Sequence, residues 1–312
     1  MTRTKNGNLL VIKSRGVIET VCFIILNYNG FGETKQLVDS IRVWNRELLD
    51  FHVIVVDNCS PDGSYEKLRT EFAHSDVVDV ICSEKNGGYS YGNNFGARYA
   101  MEKYNPQYIA ISNPDVEIGQ DTVIKLLDTF SIDTRIAMCA PVMKSVDGSF
   151  SIHAIKLPTY SDDLRACVLN RSAKNLIKEK YQTLESDRTM IVTEMLPGSF
   201  FVIRSDCFEQ VGMFDEEVFL YCEERILGKR IKDAGFLAVT RADLFFIHAH
   251  AVTIRRNTSI VKSWKILLKS RYYYEKCYQK CNIFQLAVLK IAMNAFLWQI
   301  WAVLMIERLK KK

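Results

Sequence analysis

Short, continuous apolar runs that each stop at a polar turn, with helical periodicity between them, constrain this chain more than any other feature. Residues 21–26 run into Asn27-Tyr28-Asn29-Gly30, and residues 52–56 into Asp57-Asn58-Cys59-Ser60-Pro61-Asp62-Gly63. Residues 77–82 form a third run, and residues 108–112 end at Asn113-Pro114-Asp115. Such runs lack the in–out alternation of a half-exposed strand, so they read as strands buried on both faces. Between them, Leu37, Val38, Ile41 and Trp44 recur at helical spacing, and residues 64–72, 86–103 and 121–130 read as further helices. This alternation predicts an α/β fold with a mostly parallel sheet flanked by helices. The loops at the strand C-termini would then gather in one crevice.

The pattern changes after residue 145. Residues 149–154 suggest a short strand, and residues 156–190 a loop or small helices. Strands are expected at 136–142, 190–196, 199–204, 236–239 and 244–248, and a helix over 219–234. The domain expectation is an irregular lead (1–19), a catalytic domain (20–255, its halves meeting at 145/146) and C-terminal helices (256–312). In the last helix Gln285, Lys290, Asn294 and Gln299 interrupt the apolar stretch 283–306. That predicts an amphipathic helix on a membrane surface or on the main domain rather than a span. Trp298, Trp301 and the basic residues from Arg308 to Lys312 suit an anionic interface. The start of the chain has only Leu9-Leu10-Val11-Ile12 as an apolar run, too short for a signal-peptide core. The expected location is the cytoplasm, peripheral on the inner face of the membrane.

A net charge of +5 over 312 residues, without a basic face, argues against nucleic acid as a partner. Nine cysteines without a CxxC pair read as reduced thiols, not as a disulfide framework or zinc site.

The chemistry lies in the set of loops, since each motif alone has a plain structural explanation. Asp57 alone is a turn-former, and an Asn-Pro-Asp turn is usually only a turn. The glycines of residues 86–96 would let backbone N–H groups approach a phosphate. Their position after the third strand, not the first, argues against a dehydrogenase. Asp115 could bridge a hard cation to a diphosphate, with His248 (or His250) as a further ligand. Glu223 and Glu224 either stabilise a helix start or supply a general base, being ionised at neutral pH by their reference values.

Taken together, the chain resembles the inverting nucleotide-sugar glycosyltransferases of family 2, which have the Rossmann-like GT-A fold. The matching residues include residues 24–30, 55–63, 86–96 and 112–116. The match continues through Pro197-Gly198-Ser199-Phe200-Phe201, residues 211–216, Glu223-Glu224 and Arg230. The branch resembled is the rhamnosyltransferase-like one of capsular and O-antigen synthesis. The resemblance implies a nucleotide-sugar pocket lined by Asn27, Asp57, Asn58, Asn86, Gly88, Asn94, Asn113 and Gly198, with Asp57 at the nucleobase or ribose. It implies Mn2+ or Mg2+ at Asp115 and His248, with Asn113 replacing the motif's first Asp. Glu224 falls on the Asp of the family's Glu-Asp base motif, and Ile226 replaces a later Asp, so Glu223 and Glu224 both stay candidates. The implied acceptor is a hydroxyl of a glycan, itself lipid-linked. A non-catalytic nucleotide-sugar-binding subunit and a nucleotidyltransferase are the rival readings.

Overall fold

In the strands Thr20–Asn27 (β1), Asp50–Asp57 (β2) and Tyr108–Ser112 (β4), side chains alternate between two covered faces, whereas Val78–Cys82 (β3), at the sheet edge, is only partly buried. Val21, Phe23 and Ile25 enter one apolar layer, and Cys22 and Ile24 enter the other. Each fully buried Phe or Ile of this kind contributes roughly 1.5–3 kcal/mol, so the two layers fix strand register. The computed structural model describes residues 19–151, 156–169, 182–184, 187–248 and 260–310.

The remaining strands are Val116–Glu117 (β5), Ile136–Ser145 (β6), Phe150–Ser151 (β7), Gln182–Leu184 (β8), Asp187–Thr193 (β9), Phe200–Arg204 (β10) and Leu237–His248 (β11). The helices are Phe31–Ile41 (α1), Ser64–Glu71 (α2), Gly88–Tyr104 (α3), Gln120–Thr129 (α4), Tyr160–Leu169 (α5), Ser205–Gln210 (α6), Glu223–Asp233 (α7), Ile260–Cys277 (α8) and Ile283–Lys310 (α9). The sheet runs β3-β2-β1-β4-β10-β6-β11-β9-β8.

The helix-flanked α/β sheet is as expected, with parallel pairing among β1, β2, β3 and β4 and between β6 and β11, and it is mixed. Strand β10 inserts antiparallel between β4 and β6, and β9 pairs antiparallel with β11. Residues 236–239 and 244–248, expected as two strands, are one strand with a register shift between Arg241 and Phe245. The predicted boundary at residue 145 does not divide the sheet, because β6 from the first half lies between β10 and β11 from the second.

These pairings bring distant residues to one edge. Asn27 is level with Asp57, and Ile25 with Ser112. Phe200 lies opposite Ser112, and His248 opposite Val116 while level with Ser145. The C-terminal ends of β1, β2, β4, β6 and β11 and the N-terminal end of β10 therefore share that edge.

Helix α9 packs Leu289, Met293 and Phe296 against Leu268 of α8 and Cys167 of α5. Its interrupting polar residues do not gather into a stripe, so the expected polar face is absent. The outward side carries Phe284, Ile291 and Trp298, the last 69% exposed. By length and composition residues Ile283–Ile306 could cross a membrane, but the packed inner face ties α9 to α5 and α8.

Candidate active site

The first loops are held by a buried network. Asp57 Oδ2 accepts hydrogen bonds from Asn27 Nδ2 at 2.6 Å and Ser64 Oγ at 3.1 Å, and its Oδ1 accepts the Ser60 N–H at 2.8 Å. Asn27 Oδ1 accepts from Thr34 Oγ1 at 2.7 Å. Both carboxylate oxygens are thus engaged and Asp57 is 0% exposed. A buried carboxylate needs such partners to offset its lost hydration. Through these bonds Asp57 ties the β1 and β2 loops together at the edge where the resemblance places the nucleobase or ribose. Asn58 donates to the Gly88 carbonyl at 3.1 Å and to Asn86 Oδ1 at 3.2 Å, and Asn86, partly exposed, lies at the crevice.

The glycines of α3 serve packing. A Cβ on Gly92 would meet Leu26 at 2.3 Å, and one on Gly96 would meet Val56 at 2.5 Å. The helix therefore docks closely on the sheet at these two glycines. Gly88, at φ +87°, lies where a Cβ would be 1.9 Å from the Phe219 carbonyl oxygen. Asn94 has a structural task of its own. It is buried, and its side chain bonds both the Phe214 carbonyl (2.9 Å) and the Phe214 N–H (3.1 Å), clamping the segment before α7 to α3.

On the other side of the crevice Asp115 Oδ1 lies 3.1 Å from His248 Nε2, both side chains about nine-tenths buried. Strand β5 makes this meeting possible by pairing Val116 with His248. One carboxylate and one imidazole could hold a Mn2+ or Mg2+ ion only if a substrate and water supplied its remaining ligands. Among the described residues no group of three or more His, Cys, Asp or Glu side chains gathers to hold a metal. His250 lies outside the described residues. Asn113 donates its N–H to the Ser199 carbonyl at 2.8 Å, so the Asn113-Pro114-Asp115 turn is joined to the start of β10.

Next to Ser199, Gly198 touches Glu224. A Cβ on Gly198 would lie 3.0 Å from Glu224 Oε1. Helix α7 begins only at Glu223, later than expected, because Tyr221 and Cys222 have φ of 69° and 68°. Two successive left-handed non-glycine residues are costly, and strain of this kind recurs at functional sites. Glu223 is 6% exposed, and its Oε2 has no hydrogen-bond partner among the described residues. Burial, and then the neighbouring Glu224 charge, push its carboxyl well above the usual range. Glu224 is half-buried at the crevice.

Several supporting residues carry no sequence signal. Tyr89 donates its hydroxyl to the Gly198 carbonyl at 2.5 Å, and burial beside Glu223 and Glu224 raises its phenol pKa. Arg225 of α7 pairs with the buried Asp163 of α5 at 2.8 Å. Ser270 of α8 donates to the Leu220 carbonyl at 2.8 Å, and Tyr273 to Asp215 at 2.9 Å. The C-terminal helices thus brace the strained entry to α7. Ile226, standing where the resembled family has Asp, packs with Val218 and Tyr274.

A cleft of about 820 Å3 opens at the opposite sheet edge, lined by Arg98, Gln107, Tyr108 and Arg204. None of the sequence-predicted site residues lines it.

Sheet order and edge place the chain among the GT-A folds. A GalNAc-T7 structure with UDP, GalNAc and Mn2+ superposes with TM-score 0.57 at 17% identity, covering 89% of this chain and 55% of that one. A mannosyltransferase of Pyrobaculum calidifontis, solved with GDP-Man and Mn2+, gives 0.52 at 17% identity, covering 88% and 74%. The chain belongs to glycosyl transferase family 2, whose model matches residues 22–212. It is 28% identical over 210 residues to the low-salt glycan biosynthesis hexosyltransferase Agl10 of Haloferax volcanii, covering 67% of this chain and 60% of the relative. It is also 28% identical over 213 residues to the N-acetylglucosaminyl-diphospho-decaprenol L-rhamnosyltransferase of Mycobacterium tuberculosis, covering 66% and 68%.

Proposed function

We propose that this glycosyltransferase moves a hexosyl or deoxyhexosyl group from a nucleotide-diphosphate sugar to a hydroxyl of a lipid-linked glycan, with inversion at the anomeric carbon. The observation that carries the proposal is the convergence on one sheet edge of the Asp115–His248 pair and, through Gly198, of Glu224. A base must be both ionised and reachable. Glu223 is sealed and disfavoured in its charged form, so Glu224 takes the role. Its carboxylate accepts the acceptor's hydroxyl proton as that oxygen bonds to the anomeric carbon. The bond from that carbon to the diphosphate breaks on the opposite face, and the nucleoside diphosphate leaves with the electron pair. Asn58, Asn86 and Gly88 bound the nucleotide end. Asp115 and His248 would hold a divalent cation, which supplies charge neutralisation at the diphosphate.

The lipid-linked acceptor is supported by the decaprenol-diphosphate substrate named for the mycobacterial relative. A place on the inner membrane face is supported by the apolar outward side of α9. A thermal-shift screen against UDP-, dTDP- and GDP-sugars with Mn2+ tests the donor class. One donor is expected to raise Tm, and chelation is expected to lower both the shift and the transfer rate. No shift with any nucleotide sugar would contradict the proposal.

A further inference from the structure

Between α8 and α9 runs a groove of about 240 Å3. Its floor is apolar, made by Leu268, Met293 and Leu297. Its rim carries three exposed ammonium groups. Lys265 and Lys269, four residues apart on α8, share one helix face, and Lys290 comes from α9. No carboxylate lines the groove. None of the three lysines has an ion-pair partner among the described residues.

The outward face of α9 beside this groove is uncharged. Phe284, Ile291 and Trp298 are 78%, 70% and 69% exposed, and Trp298 packs edge-on against Trp301 at 5.7 Å. Indoles of this kind favour the level of lipid headgroups. If α9 lies in that plane, the three lysines stand at the height of the phosphates, with their stems along the apolar floor.

We propose that the groove rimmed by Lys265, Lys269 and Lys290 binds the phosphate group of an anionic membrane lipid. The lipid's chains follow the outward face of α9. Lysine suits this task as a mobile point charge, since a headgroup in a fluid bilayer offers no fixed geometry for a planar guanidinium fork. The inference rests on the membrane reading above and adds the lipid class and its site. By bracing Leu220 through Ser270, α8 connects the occupied groove to the entry of α7.

The test is co-sedimentation of the full chain with phosphatidylcholine vesicles, with and without phosphatidylglycerol. The parent should bind the anionic vesicles more tightly. Each lysine near an anionic surface is worth about fivefold in affinity, so K265Q/K269Q/K290Q should weaken that binding by roughly 100-fold. Binding to phosphatidylcholine alone should change by no more than about threefold, since it does not draw on those charges. A matched variant removing three charges elsewhere, K67Q/R69Q/K125Q, should retain the parent's preference. Equal losses in the two triple variants would show general attraction and overturn the groove. Equal parent binding to both vesicle types would overturn the groove and leave the membrane reading standing. No binding to either type would overturn both, and would favour an acidic protein as the occupant.

Discussion

Glu224→Gln is expected to lower the rate of sugar transfer by about 10^2–10^4-fold, the usual contribution of a positioned general base. Affinity for the nucleotide sugar should stay within a few-fold. Glutamine keeps the length and shape of the side chain against Gly198 but cannot accept the proton. Glu223→Gln is the informative contrast. Glu223 is buried, its Oε2 has no hydrogen-bond partner among the described residues, and burial beside Glu224 already opposes its charge. Replacing it with a neutral amide should leave the fold stable and most of the rate intact. Steady-state transfer assays with both variants separate the two carboxylates. Parental transfer by Glu224→Gln would remove Glu224 from the chemistry and favour a non-catalytic nucleotide-sugar-binding subunit.

Gly88→Ala is expected to cost roughly 3 kcal/mol of stability. About 1 kcal/mol comes from forcing a side chain to φ +87°, and the rest from overpacking against a backbone atom that cannot rotate away. For a chain of this size that lowers Tm by roughly 4–5 °C. The obstructing atom is the Phe219 carbonyl oxygen, which also accepts the Tyr89 N–H at 2.9 Å. The displaced segment leads directly into Tyr221, Cys222 and Glu223, so turnover should fall with stability. Gly32→Ala on α1 provides the control. A Cβ there meets nothing within 4 Å, and alanine in a helix should be neutral to slightly stabilising. Denaturation of the two variants side by side checks both expectations. An unchanged Tm for Gly88→Ala would mean that α3 does not hold the α7 entry in the way described.

The parallel strands were legible because burial on both faces leaves an uninterrupted apolar run, as in residues 21–26 and 52–56. Strand β10 reads the same way in sequence, yet it runs antiparallel between β4 and β6. Apolar content reports burial, not direction, and its pairing partners lie far away in sequence. The start of α7 was misplaced for a local reason. Phe219 and Leu220 continue the helical periodicity, but Tyr221 and Cys222 are held out of the helix by contacts from α3 and α8.

Site residues divide along the same line. The pairing of Asp115 with His248 was anticipated from the resemblance, and β5 supplies the geometry. The network around Asp57 was not legible, because nothing in its own segment reveals that Asn27, Ser60 and Ser64 all turn toward it. The packing role of Gly92 and Gly96 was hidden for a similar reason. A glycine shows that something comes close, but not whether it is a ligand or Leu26. The pairing of Asp163 with Arg225 had no readable signal, since α5 lies in a polar stretch without clear periodicity and its partner is 62 residues away.

The most direct measurement is anomalous diffraction from crystals grown with Mn2+ and the donor's nucleoside diphosphate. The expected result is one strong manganese peak bonded to Asp115 and His248, with the diphosphate on the ion and Glu224 facing the vacant sugar position. A manganese peak far from Asp115, or a nucleotide seated in the cleft lined by Arg98 and Arg204 at the opposite sheet edge, would contradict it.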